Sequence, residues 1–191
     1  MHLFVFDVES VGLYGEGFAV AFTVQDSDGN EVESGYIGCP IGSAEGGEED
    51  RKWVKANVCP HLPEVTHHSP RAVRYWFWQK LQEWRNEPGG CLFFAECGYP
   101  VESSFLAACV QDASIIDPNA KWKAPYPLHD IASIMFAAGM DPMATYERGP
   151  NELPAHNPLA DARLSARLLR EAMSPAQVQE APAGIAEVRG E

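Results

Sequence analysis

The chain predicts a single α/β domain with a mixed sheet, and three observations carry that prediction. The first segment, Leu3-Phe4-Val5-Phe6-Asp7-Val8-Glu9, is apolar from 3 to 8 except at Asp7, as expected of a strand covered on both faces. Two further strand patterns follow it at once, joined by turn chemistry. Beyond residue 69, helical and strand patterns alternate, which places helices on the faces of the sheet. With 191 residues and 46% hydrophobic content, the chain is long enough for one substantial core.

The elements follow in order. After the first strand comes a glycine-rich turn, Gly12 to Gly17, and then a strand from Phe18 to Val24. Asp26-Ser27-Asp28-Gly29-Asn30 is hairpin chemistry, and Glu31 to Gly38 alternates like a partner strand, so the opening strands are three and antiparallel. Residues 40–50 read as an exposed loop and Trp53 to Val58 as a short helix. Ser69-Pro70 supplies an N-cap and a first-turn proline, with Val73, Phe77, Leu81 and Trp84 at helical spacing behind it and Pro88-Gly89-Gly90 as a stop. Trp76 and Trp78 on this helix either pack against the sheet or stack on bases, and packing is the commoner use.

Cys91 to Ala95 is a second buried strand. A helix is expected from Pro100 through Val110, a short strand at Ser114 to Ile116, an amphipathic helix from Leu128 to Ala138, and a last helix within Pro154 to Met173. The domain is expected to span 1–173. Residues 174–191 are rich in Ala, Pro, Gln and Glu and read as a disordered tail.

Charge and cysteine content narrow the function classes. A net charge of −13, from 27 acidic and 14 basic residues, argues against a broad grip on duplex nucleic acid or on a membrane surface. The cysteines are five in number (Cys39, Cys59, Cys91, Cys97 and Cys109) with no Cys-x-x-Cys pair, which argues against a zinc knuckle or a disulfide framework and for reduced thiols in the cytoplasm. The start of the chain lacks the basic region of a signal peptide, and no apolar run approaches the roughly 20 residues that span a bilayer.

Two clusters carry the chemistry. Side chains alternate along a strand, so Asp7 and Glu9 point to the same side. Two close anions in a low-dielectric setting resist ionisation, and a divalent cation such as Mg2+ or Mn2+ relieves them through carboxylate oxygen. The plainer alternative is a pair at the solvated end of its strand. The second cluster is Pro154-Ala155-His156-Asn157-Pro158-Leu159-Ala160-Asp161. Asn157 is an N-cap with Pro158 at the first helical position, His156 lies in the loop before the helix, and Asp161 lies on the stripe of Leu164, Leu168, Leu169 and Ala172. A carboxylate on a packed face needs a partner. Its simpler role is a favourable charge at the positive end of the helix dipole.

Together these segments resemble the DEDD superfamily of 3′–5′ exonucleases, in the histidine-bearing branch (DEDDh), which has an RNase H-like fold. Asp7-Val8-Glu9 matches the Asp-x-Glu motif of the first strand, with Ser10 where Thr is frequent. His156 and Asp161 match the His-x4-Asp motif, and the likeness runs from Met1 to about Met173. The second motif departs from the pattern. Its Asp, on the helix after the fourth strand, is replaced by Glu102 within Val101-Glu102-Ser103-Ser104-Phe105-Leu106, and an Asn four residues earlier by Gly98. Glu96, at the end of the strand, is a rival for the position, although the neighbours of Glu102 match better. Asp130 reads as a helix cap or structural acid.

The resemblance implies hydrolysis of the 3′-terminal phosphodiester of single-stranded or short RNA or DNA with two divalent ions, Mg2+ or Mn2+, roughly 4 Å apart. Asp7 would bridge the ions, Glu9 and Asp161 would hold one, Glu102 would reach the other, and His156 would be the general base, an imidazole ordinarily titrating near neutrality. A homodimer is open on the same ground, and no sequence feature demands one. The alternative is a catalytically weakened module that binds single strands without turnover, given the change at Glu102. A zinc hydrolase is disfavoured, because His61, His67, His68 and His129 form no His-x3-His pairing with these acids.

Overall fold

The computed structural model describes residues 1–174; the expected tail, apart from Ser174, lies outside the described residues. Among the described residues, five strands form one mixed sheet: β1 (His2–Ser10), β2 (Gly17–Gln25), β3 (Glu31–Gly38), β4 (Cys91–Ala95) and β5 (His129–Asp130), in the order β3-β2-β1-β4-β5. β1, β2 and β3 are antiparallel neighbours, and β4 and β5 are added in parallel. The helices are α1 (Glu48–Asn57), α2 (Pro70–Arg85), α3 (Ser103–Ser114), α4 (Ile131–Ala137) and α5 (Pro158–Ala172).

Alternation along β1 sorts the core into two layers. Phe4, Phe6 and Val8 face α2 and α3, where Phe77 is fully buried with its ring 5.1 Å from that of Phe6 and 5.5 Å from that of Phe105. Leu3 and Val5 face the other way, onto Ile131 and Met135 of α4 and Leu164, Leu168 and Leu169 of α5. Helices therefore cover both faces, which is why β1 is apolar on both. Trp78 is buried in the first layer, and Trp76 packs beside Phe22 with ring centroids 5.8 Å apart. Both tryptophans are used for packing. Every cysteine is free. Among the described residues, no helix is long and apolar enough to cross a membrane.

Several boundaries differ from expectation. Ser114 to Ile116 is not a strand: the backbone continues in helical turns, with Ile116 N–H donating to the Ala113 carbonyl, and Ile115 and Ile116 are exposed. β-branching alone suggested a strand, but the segment pairs with no strand of the sheet. The fifth strand is the two-residue β5, paired with Phe94 and Ala95, so the helix expected from Leu128 begins only at Ile131. Asp130 caps that helix, accepting from Ser133 N at 2.6 Å, and also accepts from Gly98 N at 2.6 Å. The helix expected from Pro100 starts at Ser103, after an irregular turn over Gly98–Glu102 in which Tyr99, preceding proline, is extended (φ −135°, ψ 139°). α1 is longer than expected because Glu48, Glu49 and Asp50 occupy its first turn, where acids favour the helix dipole.

Candidate metal centre

The pairing of β1 opens the cleft. β4 ends at Ala95, opposite Phe6, so Asp7, Val8 and Glu9 have no β4 neighbour. On the other side β2 continues, pairing Ala21 with Asp7 and Ala19 with Glu9. Asp7 and Glu9 share the face of Val5, the face that α5 covers. Ala21, directly opposite Asp7, adds no bulk on that face. The crevice lies at the carboxyl end of the parallel strands, where open α/β sheets hold ligands.

α5 brings Asp161 to this crevice. Asn157 caps the helix through its side-chain oxygen, which accepts from Leu159 N at 3.1 Å and Ala160 N at 3.2 Å. Its amide nitrogen donates to the His61 carbonyl at 3.0 Å, tying the loop to the turn that follows α1. Asp161 is buried one turn into the helix, on the stripe of Leu164 and Leu168. Arg163 lies off the stripe and forms a two-pronged pair with Glu31, at 2.8 and 2.7 Å.

One carboxylate oxygen from each of Asp7, Glu9 and Asp161 lies within 4.8 Å of the others. Glu102 is buried at the start of α3, and Glu96 follows β4 immediately. Both add negative potential at Asp7 and Glu9. The irregular turn before α3 delivers Glu102, and the end of β4 delivers Glu96, so both contenders for the second motif border the crevice. Asp7 and Glu9 are half-buried and Glu96 is open to solvent, so the group lines a cleft and not a sealed cavity.

Apart from Arg148 beside Asp161, the negative charge of the cluster is uncompensated. Burial first, then the negative field of Glu9, Glu102, Glu96 and Asp161, holds Asp7 well above the ordinary carboxylate range. Burial, then Asp161, Glu102 and Glu96, pushes Glu9 up to about 8. Burial, with Glu96 and Asp130 adding, pushes Glu102 up to about 7. Desolvation by the residues around it, then the negative field of Asp161, raises Glu96, and burial raises Asp161 against the lowering pull of Arg148. Among the described residues, the only salt bridge any of these five acids makes is Arg148 Nη1 to Asp161 Oδ1, at 2.6 Å. That contact lacks hydrogen-bond geometry and leaves the buried Oδ1 without a hydrogen-bond partner.

No protein-family model matches the chain, and no curated protein matches its sequence. The donor atoms of the site are all hard carboxylate oxygens, one of them orphaned, in a region of excess negative charge. That set fits Mg2+ or Mn2+ and not a thiophilic metal.

His156 stands at the rim, exposed, in the left-handed backbone region at φ 62°. A non-glycine residue there costs about 1–2 kcal/mol, and such strain concentrates at functional positions. The indole of Trp53, on α1, meets the imidazole edge-on with centroids 6.0 Å apart and is itself half exposed. Neither Trp53 nor Arg148 stands out in the sequence as a site residue. An exposed tryptophan among the charges of α1 was a usable signal for the first. Nothing in the loop around Arg148 marked the second.

Proposed function

We propose that the chain is a metal-dependent 3′–5′ exonuclease of the histidine-bearing DEDD kind, built on an RNase H-like sheet, that shortens single-stranded or short nucleic acid from its 3′ end. The observation that carries the reading is the convergence of Asp7, Glu9 and Asp161 oxygens within 4.8 Å at the open end of β4, with His156 on the rim. The strand order β3-β2-β1-β4-β5 supports the fold assignment.

Asp7, Glu9 and Asp161 would hold the cation, with Glu102 completing the set from the α3 side. Bound divalent ions would supply an activated water and stabilise charge on the phosphoryl oxygens. The water oxygen would bond to the phosphorus of the terminal nucleotide as the bond from that phosphorus to the 3′-oxygen of the penultimate nucleotide breaks; His156 would accept the water's proton on a ring nitrogen, the leaving 3′-oxygen would take a proton from solvent, and a nucleoside 5′-monophosphate would depart. The edge contact with Trp53 limits the ring's orientations, and the free indole surface offers a stacking face to the terminal base. The charge of −13 favours short single strands over duplexes.

Product analysis tests the chemistry. Digestion in heavy-oxygen water should release nucleoside 5′-monophosphates carrying the label on phosphorus. Nucleoside 3′-phosphates as the products would refute the proposed bond cleavage.

The Arg148 contact with Asp161 favours a second reading, since a guanidinium already engages one of the carboxylates that would hold a metal. In that reading the chain binds single strands without turnover. Retention of a labelled oligonucleotide with no product in Mn2+ would select it.

A further inference from the structure

Three arginines contact acids on or beside α5, and one differs from the others. Arg163 meets Glu31 with two prongs. Arg167 meets Glu152 with two, at 2.8 and 2.9 Å. Arg148 meets Asp161 through a single nitrogen at 2.6 Å, with no hydrogen bond on the buried Oδ1. Paired forks with satisfied oxygens are how arginine builds a permanent bridge. Arg148 balances the charge of Asp161 without satisfying its oxygen.

The backbone on each side of Arg148 is firmly held. Gly149 N–H donates to the Glu152 carboxylate at 2.8 Å, and Arg167 Nη2 donates to the Glu147 carbonyl at 2.7 Å. The buried Glu152 carboxylate thus anchors the turn and Arg167 together. The same Nη1 of Arg148 also donates to the Glu152 carbonyl at 2.8 Å. A guanidinium released from Asp161 would keep that tether and stay at the cleft.

We infer that Arg148 is a resident counter-cation of the centre, which neutralises Asp161 in the metal-free protein and must yield that carboxylate before a divalent ion is held there. The inference rests on the metal-centre reading above and adds a residue that sets metal affinity. Arg148 is thus a positioning residue acting through Asp161. A merely structural arginine would lower metal affinity when removed, by letting Asp161 move. A competing cation raises it.

The test is Mn2+ binding to the full chain, read by calorimetry, for the natural protein, Arg148→Gln, Arg148→Lys, and Arg148→Gln combined with Asp161→Asn. Arg148→Gln should bind Mn2+ on the order of tenfold more tightly, the scale at which one bound species typically shifts the affinity for another. The gain should vanish in the Asp161→Asn background. Arg148→Lys, shorter and unable to span the same contact, should fall between, and it decides the question if Arg148→Gln does not fold. Equal or weaker binding by the folded variant overturns the inference and leaves the metal centre standing. A gain that persists with Asp161→Asn also overturns it, since Arg148 would then act through its field alone. Absence of Mn2+ binding in every variant and in the natural protein removes the metal centre and the inference with it. Binding by Arg148→Gln alone would establish the competition in its strongest form.

Discussion

Asp161, in the first turn of α5, faces Asp7 of β1 across an open cleft, with an oxygen of each within 4.8 Å of the other. Neither element needs this juxtaposition to pack. β1 is fixed by Phe4 and Phe6 on one side and Leu3 and Val5 on the other, and α5 by Leu164, Leu168 and Leu169. Two like charges held together by a scaffold that does not depend on them destabilise the fold unless a cation joins them.

Replacing Asp7 should therefore stabilise the metal-free protein. Asp7→Asn removes a charge that burial and four neighbouring acids oppose. The expected result near neutral pH in a chelator is a higher unfolding midpoint for Asp7→Asn than for the natural protein. Urea unfolding measures it. Lower stability for Asp7→Asn would show that the carboxylate is compensated.

The pH dependence of the metal-free protein has a definite sign. Glu9 rises from 4.5 to about 8 and Glu102 from 4.5 to about 7 on folding. Between those values the folded protein holds protons on these two groups that the unfolded chain has released, so their contribution to stability is fully present below about pH 4.5 and is lost as pH rises through 7 to 8. Saturating Mn2+ should offset the decline, because it favours the ionised carboxylates. Urea midpoints measured across this range, with chelator and with Mn2+, check both statements. A metal-free midpoint that climbs with pH would contradict the first.

His156→Ala should separate folding from chemistry. The side chain is exposed at the rim and the α5 cap resides on Asn157, so stability should change by less than about 1 kcal/mol. Mn2+ affinity should be retained, while kcat falls at least about 100-fold, the usual contribution of a general base. Steady-state kinetics on a short oligonucleotide, beside a Mn2+ isotherm, give the comparison. Unchanged kcat would remove His156 from the mechanism.

Phe77→Ala tests the layer that positions β1. Phe77 is fully buried between Phe4, Phe6 and Phe105, so its loss should cost about 3–5 kcal/mol. Denaturant unfolding reads the effect, and a cost under about 1 kcal/mol would mean that this layer repacks freely.

Periodicity made much of this legible in advance. Alternation in β1 put Asp7 and Glu9 on one side, and the spacing of Asp161 to Leu164 and Leu168 turned that acid inward. What periodicity does not reach is the irregular backbone and long-range pairing. β5 has two residues, too few to show a pattern, and was hidden at the front of an expected helix. The turn over Gly98–Glu102 obeys no helical repeat, so Glu96 and Glu102 competed for one position when the fold brings both to the cleft. Arg148 reaches Asp161 only through the packing of its loop on α5.

Cleavage of a 5′-labelled single-stranded RNA and its DNA equivalent, with Mn2+, Mg2+ or chelator and beside Asp7→Ala, tests the centre most directly. The expected result is a metal-dependent ladder that shortens from the 3′ end and is absent in Asp7→Ala. No shortening of either strand by protein with Mn2+ shown to be bound, or an equal ladder from Asp7→Ala, would contradict it.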